Sequence, residues 1–210
     1  GNQKAAAGIL EQSWQIHNRK ELLTQIKMLT DTGYRTEYLK ESKEMRSMSK
    51  KQLKIAMKQF AGSVKIHYEM IQYNWDTWKK KGLVAWDMCR VSHLAQWGYV
   101  AGYLNVREAQ AVIQPAAELL QKNFKSWDEV QTNWLDGYAL YASIDLSKAG
   151  NDYEKRKAIY EQLKTAQAED GMLYDDTMFR NPILPLADTS YQTLWMELEE
   201  DTEEKGDNTK

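Results

Sequence analysis

Trp86-Asp87-Met88-Cys89-Arg90-Val91-Ser92-His93-Leu94-Ala95-Gln96-Trp97-Gly98-Tyr99-Val100-Ala101-Gly102-Tyr103 is the stretch that decides how this chain is read. At 3.6 residues per turn Trp86, Arg90, His93 and Trp97 share one stripe, with Asp87 one turn before Arg90. A charged pair on a face shared with tryptophans is set to be desolvated, and breaking such a pair from one side costs about 3 to 5 kcal/mol. Gly98 and Gly102 lie four apart with Ala101 beside them, so a second helix can approach where no side chain intervenes. Glycine inside a helix costs roughly 1 kcal/mol against alanine, a cost that close packing offsets.

Outward from this segment, helix punctuation is frequent. Asn18 with Glu21 reads as a capping box opening a helix with Leu22, Leu23, Ile26 and Leu29 inward and Gly33 as its stop. A shorter helix follows from Tyr34 to about Ser42. After Ser47 or Ser49, Leu53, Met57, Phe60, Val64, His67, Ile71, Trp75 and Trp78 recur at alternating steps of four and three, the seam of one long helix ended by Lys79, Lys80, Lys81 and Gly82. The central helix is expected from Leu83 to Tyr103. Asn105 with Glu108 and Ser126 with Glu129 are further capping boxes, and Pro115 is expected to kink or split the helix between them. The second box launches a helix carrying Trp134, Gly137, Tyr138 and Tyr141. A loop over 145–152, a helix from Tyr153 to about Ala168, an irregular stretch over 171–186 and a last helix capped by Asp188 or Thr189 complete the reading.

Composition bounds the class. With 42% hydrophobic and 28% charged residues the chain of 210 is globular rather than disordered. Three prolines, eleven glycines and no alternating runs of β-branched residues favour helix throughout. Cys89, the single cysteine, excludes an internal disulfide and does not fix the compartment. No apolar run approaches the roughly 20 residues that span a bilayer, so the mature chain is expected to be soluble, with no transmembrane segment. The start at Gly1-Asn2-Gln3, without a methionine, leads us to expect that an upstream segment was removed. An export signal before Asn2, and with it an extracytoplasmic location, is one candidate.

The string Trp86-Asp87-xx-Arg90, Trp97-Gly98-Tyr99-xx-Gly102-Tyr103, Glu108-Ala109, Pro115-Ala116, Ser126-Trp127-xx-Glu129 and Gly137 resembles the bacterial family called domain of unknown function 1266 (DUF1266). The resemblance reaches upstream to Trp14-Gln15-Ile16 and Arg19-xx-Leu22-Leu23 and so covers most of the chain to about Tyr141. As a set these motifs are specific, whereas each alone is weak. Relatives often place a Trp after Glu-Ala and a Phe after Trp-xx-Glu; Gln110 and Val130 stand there instead, which alters the packing expected around them. The family carries no established activity, so the resemblance implies a bacterial helical domain and no chemistry.

Chemistry must therefore come from the residues. His17, His67 and His93 fall on different expected helices without ligand spacing, and a metal site needs three or four converging groups, so no metal and no cofactor is expected. A lone histidine on an apolar stripe is ordinarily a hydrogen-bonded core residue. Cys89 has helical spacing to His93 but sits among apolar neighbours, where a reactive thiolate is disfavoured. No phosphate loop, serine elbow or kinase set is present. Most tryptophans and tyrosines stand beside Leu, Ile or Met at helical spacing, which reads as aromatic core. From Lys40 to Lys81 eleven basic residues face four acidic ones, and from Asp188 to Asp207 eight acids face Lys205. The two segments have opposite charge and could attract each other. The overall charge of −2 favours a solvated basic face over a nucleic-acid site, and no nucleic acid is expected.

The expectation is an all-α fold, a helical bundle built around the Trp86 to Gly137 region, with an N-terminal helical pair and a long central helix. We expect one domain over 1–198, with N-terminal helices over 1–81 and a motif-bearing core over 83–198, followed by a flexible acidic tail over 199–210. The leading function is a non-enzymatic binding or interaction module, its partner an unspecified protein or small ligand and self-association open. The alternative is a small-ligand receptor or enzyme with a polar pocket around Asp87, Arg90 and His93, joined through folding by Glu108 or Asp128. Trp86, Asp87, Arg90, His93, Trp97, Gly98, Gly102, Tyr103, Glu108, Trp127, Asp128 and Gly137 are the candidate pocket or fold-determining residues, with the catalytic set left unassigned.

Overall fold

The structure, a computed structural model, describes residues 1–170 and 174–207, and every regular element among them is helical. In chain order these are α1 (Asn2–Trp14), α2 (Arg19–Asp31), α3 (Gly33–Ser47), α4 (Lys50–Gln59), α5 (Gly62–Trp78), α6 (Val84–Ala101), α7 (Val106–Asn123), α8 (Trp127–Tyr141), α9 (Asp152–Asp170), the single turn α10 (Asp176–Phe179) and α11 (Tyr191–Asp207). None of them is long and apolar enough to cross a membrane.

The expected caps act on the backbone. Asn18 Oδ1 accepts from the Glu21 amide at 3.0 Å, Asn105 Oδ1 from the Glu108 amide at 3.0 Å, and Ser126 Oγ from the Glu129 amide at 3.2 Å. Ser49 and Gln52 form a reciprocal box at the start of α4, each satisfying an amide the helix leaves open.

Several elements depart from the sequence reading. The apolar seam from Leu53 to Trp78 is two helices, because Phe60 and Ala61 are extended and Gly62 takes φ +57°. Phe60 stacks on Tyr68 at 4.6 Å, and Val64, the next position of the expected seam, is left 49% exposed. Most of the seam still packs: Ile71 is buried and Leu53, Met57 and Trp75 lie against the core around Tyr38 and Met45. α3 runs to Ser47, beyond the Ser42 expected. α6 ends at Ala101 rather than Tyr103. α7 runs through Pro115 without splitting. Ser190, not Asp188 or Thr189, accepts from the Thr193 amide at the head of α11, and that helix continues through Asp207 where a tail from 199 was expected. Within 171–186 the turn α10 is ordered helix, whereas 171–173 lie outside the described residues, as does the end of the tail at 208–210. α1 has no counterpart in the sequence reading, although Ala5-Ala6-Ala7 favours helix and Leu10 is fully buried.

Two compact units emerge. The first comprises Gly1–Gly33, Asp87–Leu119 and Pro182–Lys210, the second Tyr34–Trp86 and Leu120–Asn181. The chain passes from one to the other within α6, after Trp86, and returns within α7, after Leu119. In the first unit Leu22, Leu23, Ile26 and Leu29 of α2 are buried, as are Met88, Val91, Leu94 and Ala95 of α6, and α11 packs on α2. In the second, α8 packs on α5 and α9, and Tyr38, Met45, Met70, Ile71, Leu83, Trp86, Ala139 and Leu140 form the core.

Candidate functional site

The expected stripe on α6 divides at its first residue. Trp86 belongs to the second unit and packs against the rings of Trp134 at 5.6 Å, Tyr138 at 5.8 Å and Tyr141 at 5.4 Å. Gly137 makes that possible: a Cβ there would meet the Trp86 Cβ directly. Asp87, Arg90, His93 and Trp97 belong to the first unit. Asp87 has no exposed surface and accepts from an Arg90 terminal nitrogen at 2.8 Å, while the guanidinium lies 5.6 Å from the centre of the Trp14 ring. This is the desolvated pair expected from their spacing, with Trp14 as an aromatic face for the cation.

His93 is exposed, in contrast to the core position its stripe suggested. Its ring rests beside that of Trp97 at 5.9 Å, and partial loss of hydration lowers its pKa below the ordinary imidazole value. Cys89 is half-buried, and burial pushes its thiol up to about 12, which makes it inert as a nucleophile at neutral pH. Gly98 is buried with a Leu22 methyl where a Cβ would sit, so α2 and α6 do approach closely there. Gly102 plays another part than that expected. Its φ of +80° ends α6, the Tyr103 and Leu104 amides turn back to the Gly98 carbonyl, and half-buried Tyr103 follows outside the helix.

Glu108 is committed twice, accepting from the Asn105 amide at 2.8 Å and from Arg19 at 2.8 Å; Arg19 also reaches Glu197 of α11 at 3.1 Å. One guanidinium thus ties α2, α7 and α11. Asp128, in the second unit, is exposed and bound by Lys164 at 2.7 Å and the Tyr160 hydroxyl at 2.9 Å, and the lysine holds its carboxyl below the ordinary range. Trp127 donates through its indole to the Asp175 carbonyl and packs against Phe179 at 5.0 Å. Among the described residues no three His, Cys, Asp or Glu groups converge as metal ligands.

The sequence reading missed a buried polar cluster on α8. Asn133 falls on the stripe Val130, Asn133, Gly137, Leu140, where it accepts from the Ala85 amide at 2.9 Å and donates to the Gly82 carbonyl, anchoring the start of α6. Asp136, with no exposed residue surface, accepts from the Trp78 indole at 2.7 Å and the Tyr153 hydroxyl at 3.0 Å. Burial raises its pKa despite those donors, and burial, joined by the charge of Asp136, raises the Tyr153 phenol. Tyr73, also raised by burial and by Asp136, lines a cleft of about 680 Å³ between α5 and the 144–148 segment, together with Lys65, Met70, Leu146 and Lys148. Lys65 and Lys148 face Glu69 at 3.6 Å and Asp145 at 3.8 Å, so the lining cations have carboxylate neighbours of their own.

A second concavity in the same unit differs in that respect. Met45, Leu53, Ile71 and Trp75, from α3, α4 and α5, floor a groove of about 260 Å³, with Arg46, Lys50 and Asp76 on its rim. The Arg46 guanidinium lies over the Trp75 ring at 3.5 Å. In the sequence its signals were the basic excess between Lys40 and Lys81 and the apolar seam that carries Leu53, Ile71 and Trp75.

The family model described as "Protein of unknown function (DUF1266)" matches residues 9–172, and the chain belongs to that family. No curated protein and no solved structure shows significant similarity to the chain.

Proposed function

We propose that this chain is a non-enzymatic binding and protein-interaction module in which the family motif acts as scaffold. The observation that carries this reading is the commitment of the motif's charges within each unit: Asp87 to Arg90, Glu108 to Arg19 and to the cap of α7, Asp128 to Lys164 and Tyr160. A carboxylate that serves as acid, base or nucleophile faces its substrate, whereas these spend lone pairs on a cation or a cap of their own helix, or on a neighbouring helix.

The alternative, a small-ligand receptor or enzyme centred on Asp87, Arg90 and His93, draws on one observation: His93 is exposed within the first unit, with an indole beside it and a lowered pKa. A thermal-shift screen of small carboxylates and phosphates separates the two. The scaffold reading expects no anion to raise the unfolding midpoint through Arg90. An anion that stabilises the wild-type chain but not a folded Arg90→Lys variant overturns it in favour of the receptor.

A further inference from the structure

We propose that the groove between α3, α4 and α5 is a docking site for an acidic peptide segment of a partner protein, one apolar side chain of which enters the groove. This rests on the interaction-module reading and supplies the partner's chemistry. The volume of about 260 Å³ lies below the roughly 300 to 1,000 Å³ of small-ligand pockets, so it suits a side chain presented by something larger. Its floor is built for that guest. Met45 and Ile71 belong to the buried core, while Leu53 and Trp75 form partly open walls. Methionine adapts its shape to different guests, and both Met45 and the 42% exposed Met48 line the groove.

Charge selects the sign of the partner. No carboxylate among the described residues forms an ion pair with Arg46 or Lys50, while Lys65 and Lys148 at the neighbouring cleft have theirs. The rim's one acid, Asp76, leaves a positive balance, and the stretch from Lys40 in α3 to Lys81 just after α5 carries eleven bases against four acids. Arg46 is positioned by stacking on Trp75, which leaves its planar set of N–H donors available for a carboxylate at the groove mouth. A glutamate or aspartate beside an apolar anchor therefore meets both halves of the site at once, the arrangement used when an amphipathic segment lies in a helical groove.

The test is fluorescence anisotropy on the full chain with a panel of fluorescein-labelled, glutamate-rich peptides, each carrying a single Leu, Met, Phe or Trp. The expected result is saturable binding by at least one peptide that weakens at least tenfold in Arg46→Glu and in Leu53→Glu, weakens with added salt, and is lost when the apolar residue becomes serine. Circular dichroism confirms that the variants fold, and Arg46→Gln, milder in charge, is expected to fall between wild type and Arg46→Glu. Binding unchanged by the groove variants overturns this site while leaving the module reading intact. No binding by any peptide, or saturable binding of octanoate in the groove instead, overturns the proposal. If Arg90-dependent anion binding accompanies that failure, the module reading falls with it.

Discussion

Asp87 has no exposed surface, so its charge is stabilised only by what the fold supplies, and Arg90 at 2.8 Å is the cation that supplies it. Removing either side takes the opposite charge of this pair away from the other. Asp87→Asn and Arg90→Met are each expected to cost about 3 to 5 kcal/mol, with the double change far below their sum. Urea titrations of the four proteins measure the coupling, and small additive costs would refute the scaffold role. Asp136 gives a second expectation with a defined sign. Its folded pKa is raised by burial, so the native state holds the proton more tightly than the unfolded chain. Its contribution to stability is complete below the ordinary aspartate range and is lost as pH rises through the raised value. Wild type is therefore expected to lose stability relative to Asp136→Asn as pH increases from that range upward. A difference that stays flat or grows over the same titration would contradict the burial account. Asp87 and Arg90 were legible in sequence because they lie three apart on one helix, whereas Asp136 meets Trp78 and Tyr153 from 58 and 17 residues away. No local spacing announces such a meeting.

At the scale of elements, two glycines mark close approaches that differ in how much they can yield. At Gly98 the obstructing atom is a methyl at the far end of Leu22, which rotation of the side chain displaces; at Gly137 it is the Cβ of Trp86, fixed to its backbone. Gly137→Ala is expected to destabilise by about 1 to 3 kcal/mol, the range for overpacking, and Gly98→Ala by clearly less, because a terminal methyl yields where a Cβ cannot, while helix propensity returns a similar part of the cost at both. Equal effects in denaturant melts would show that Leu22 is as constrained as Trp86. The caps at Asn18, Asn105 and Ser126 were readable because a capping box is complete within four residues. The break at Phe60 was not, since Leu53, Met57, Phe60 and Val64 keep helical spacing across it. What ends α4 there is the stacking of Phe60 on Tyr68 with the left-handed turn of Gly62. α7 is the converse case. A proline read as a breaker is held inside a continuous helix whose Ala111, Val112, Pro115 and Ala116 are all buried, so packing outweighs the lost hydrogen bond.

Over the whole molecule, stability should follow burial rather than helix length. Leu194 on α11 is 3% exposed, and Leu194→Ala is expected to cost about 2 to 5 kcal/mol. Deleting 201–210, an acidic stretch without a large apolar side chain, should leave the thermal midpoint nearly unchanged. A large drop on deletion, in differential scanning calorimetry, would show that the acidic end is docked through its charges. The sequence by itself determined that this chain is all-helical, that it belongs among DUF1266 proteins, where most helices begin, and that Asp87 and Arg90 pair. Each of these rests on periodicity, capping or motif spacing within a few turns of one helix. The tertiary structure alone decided that Trp86 and Asp87, adjacent in sequence, serve different compact units, that Asp136 is a buried carboxylate, and that Arg46, Lys50 and Trp75 surround one groove. Those depend on which helices meet, and that is set by the mutual burial of apolar surface from distant segments rather than by any preference the segments carry alone.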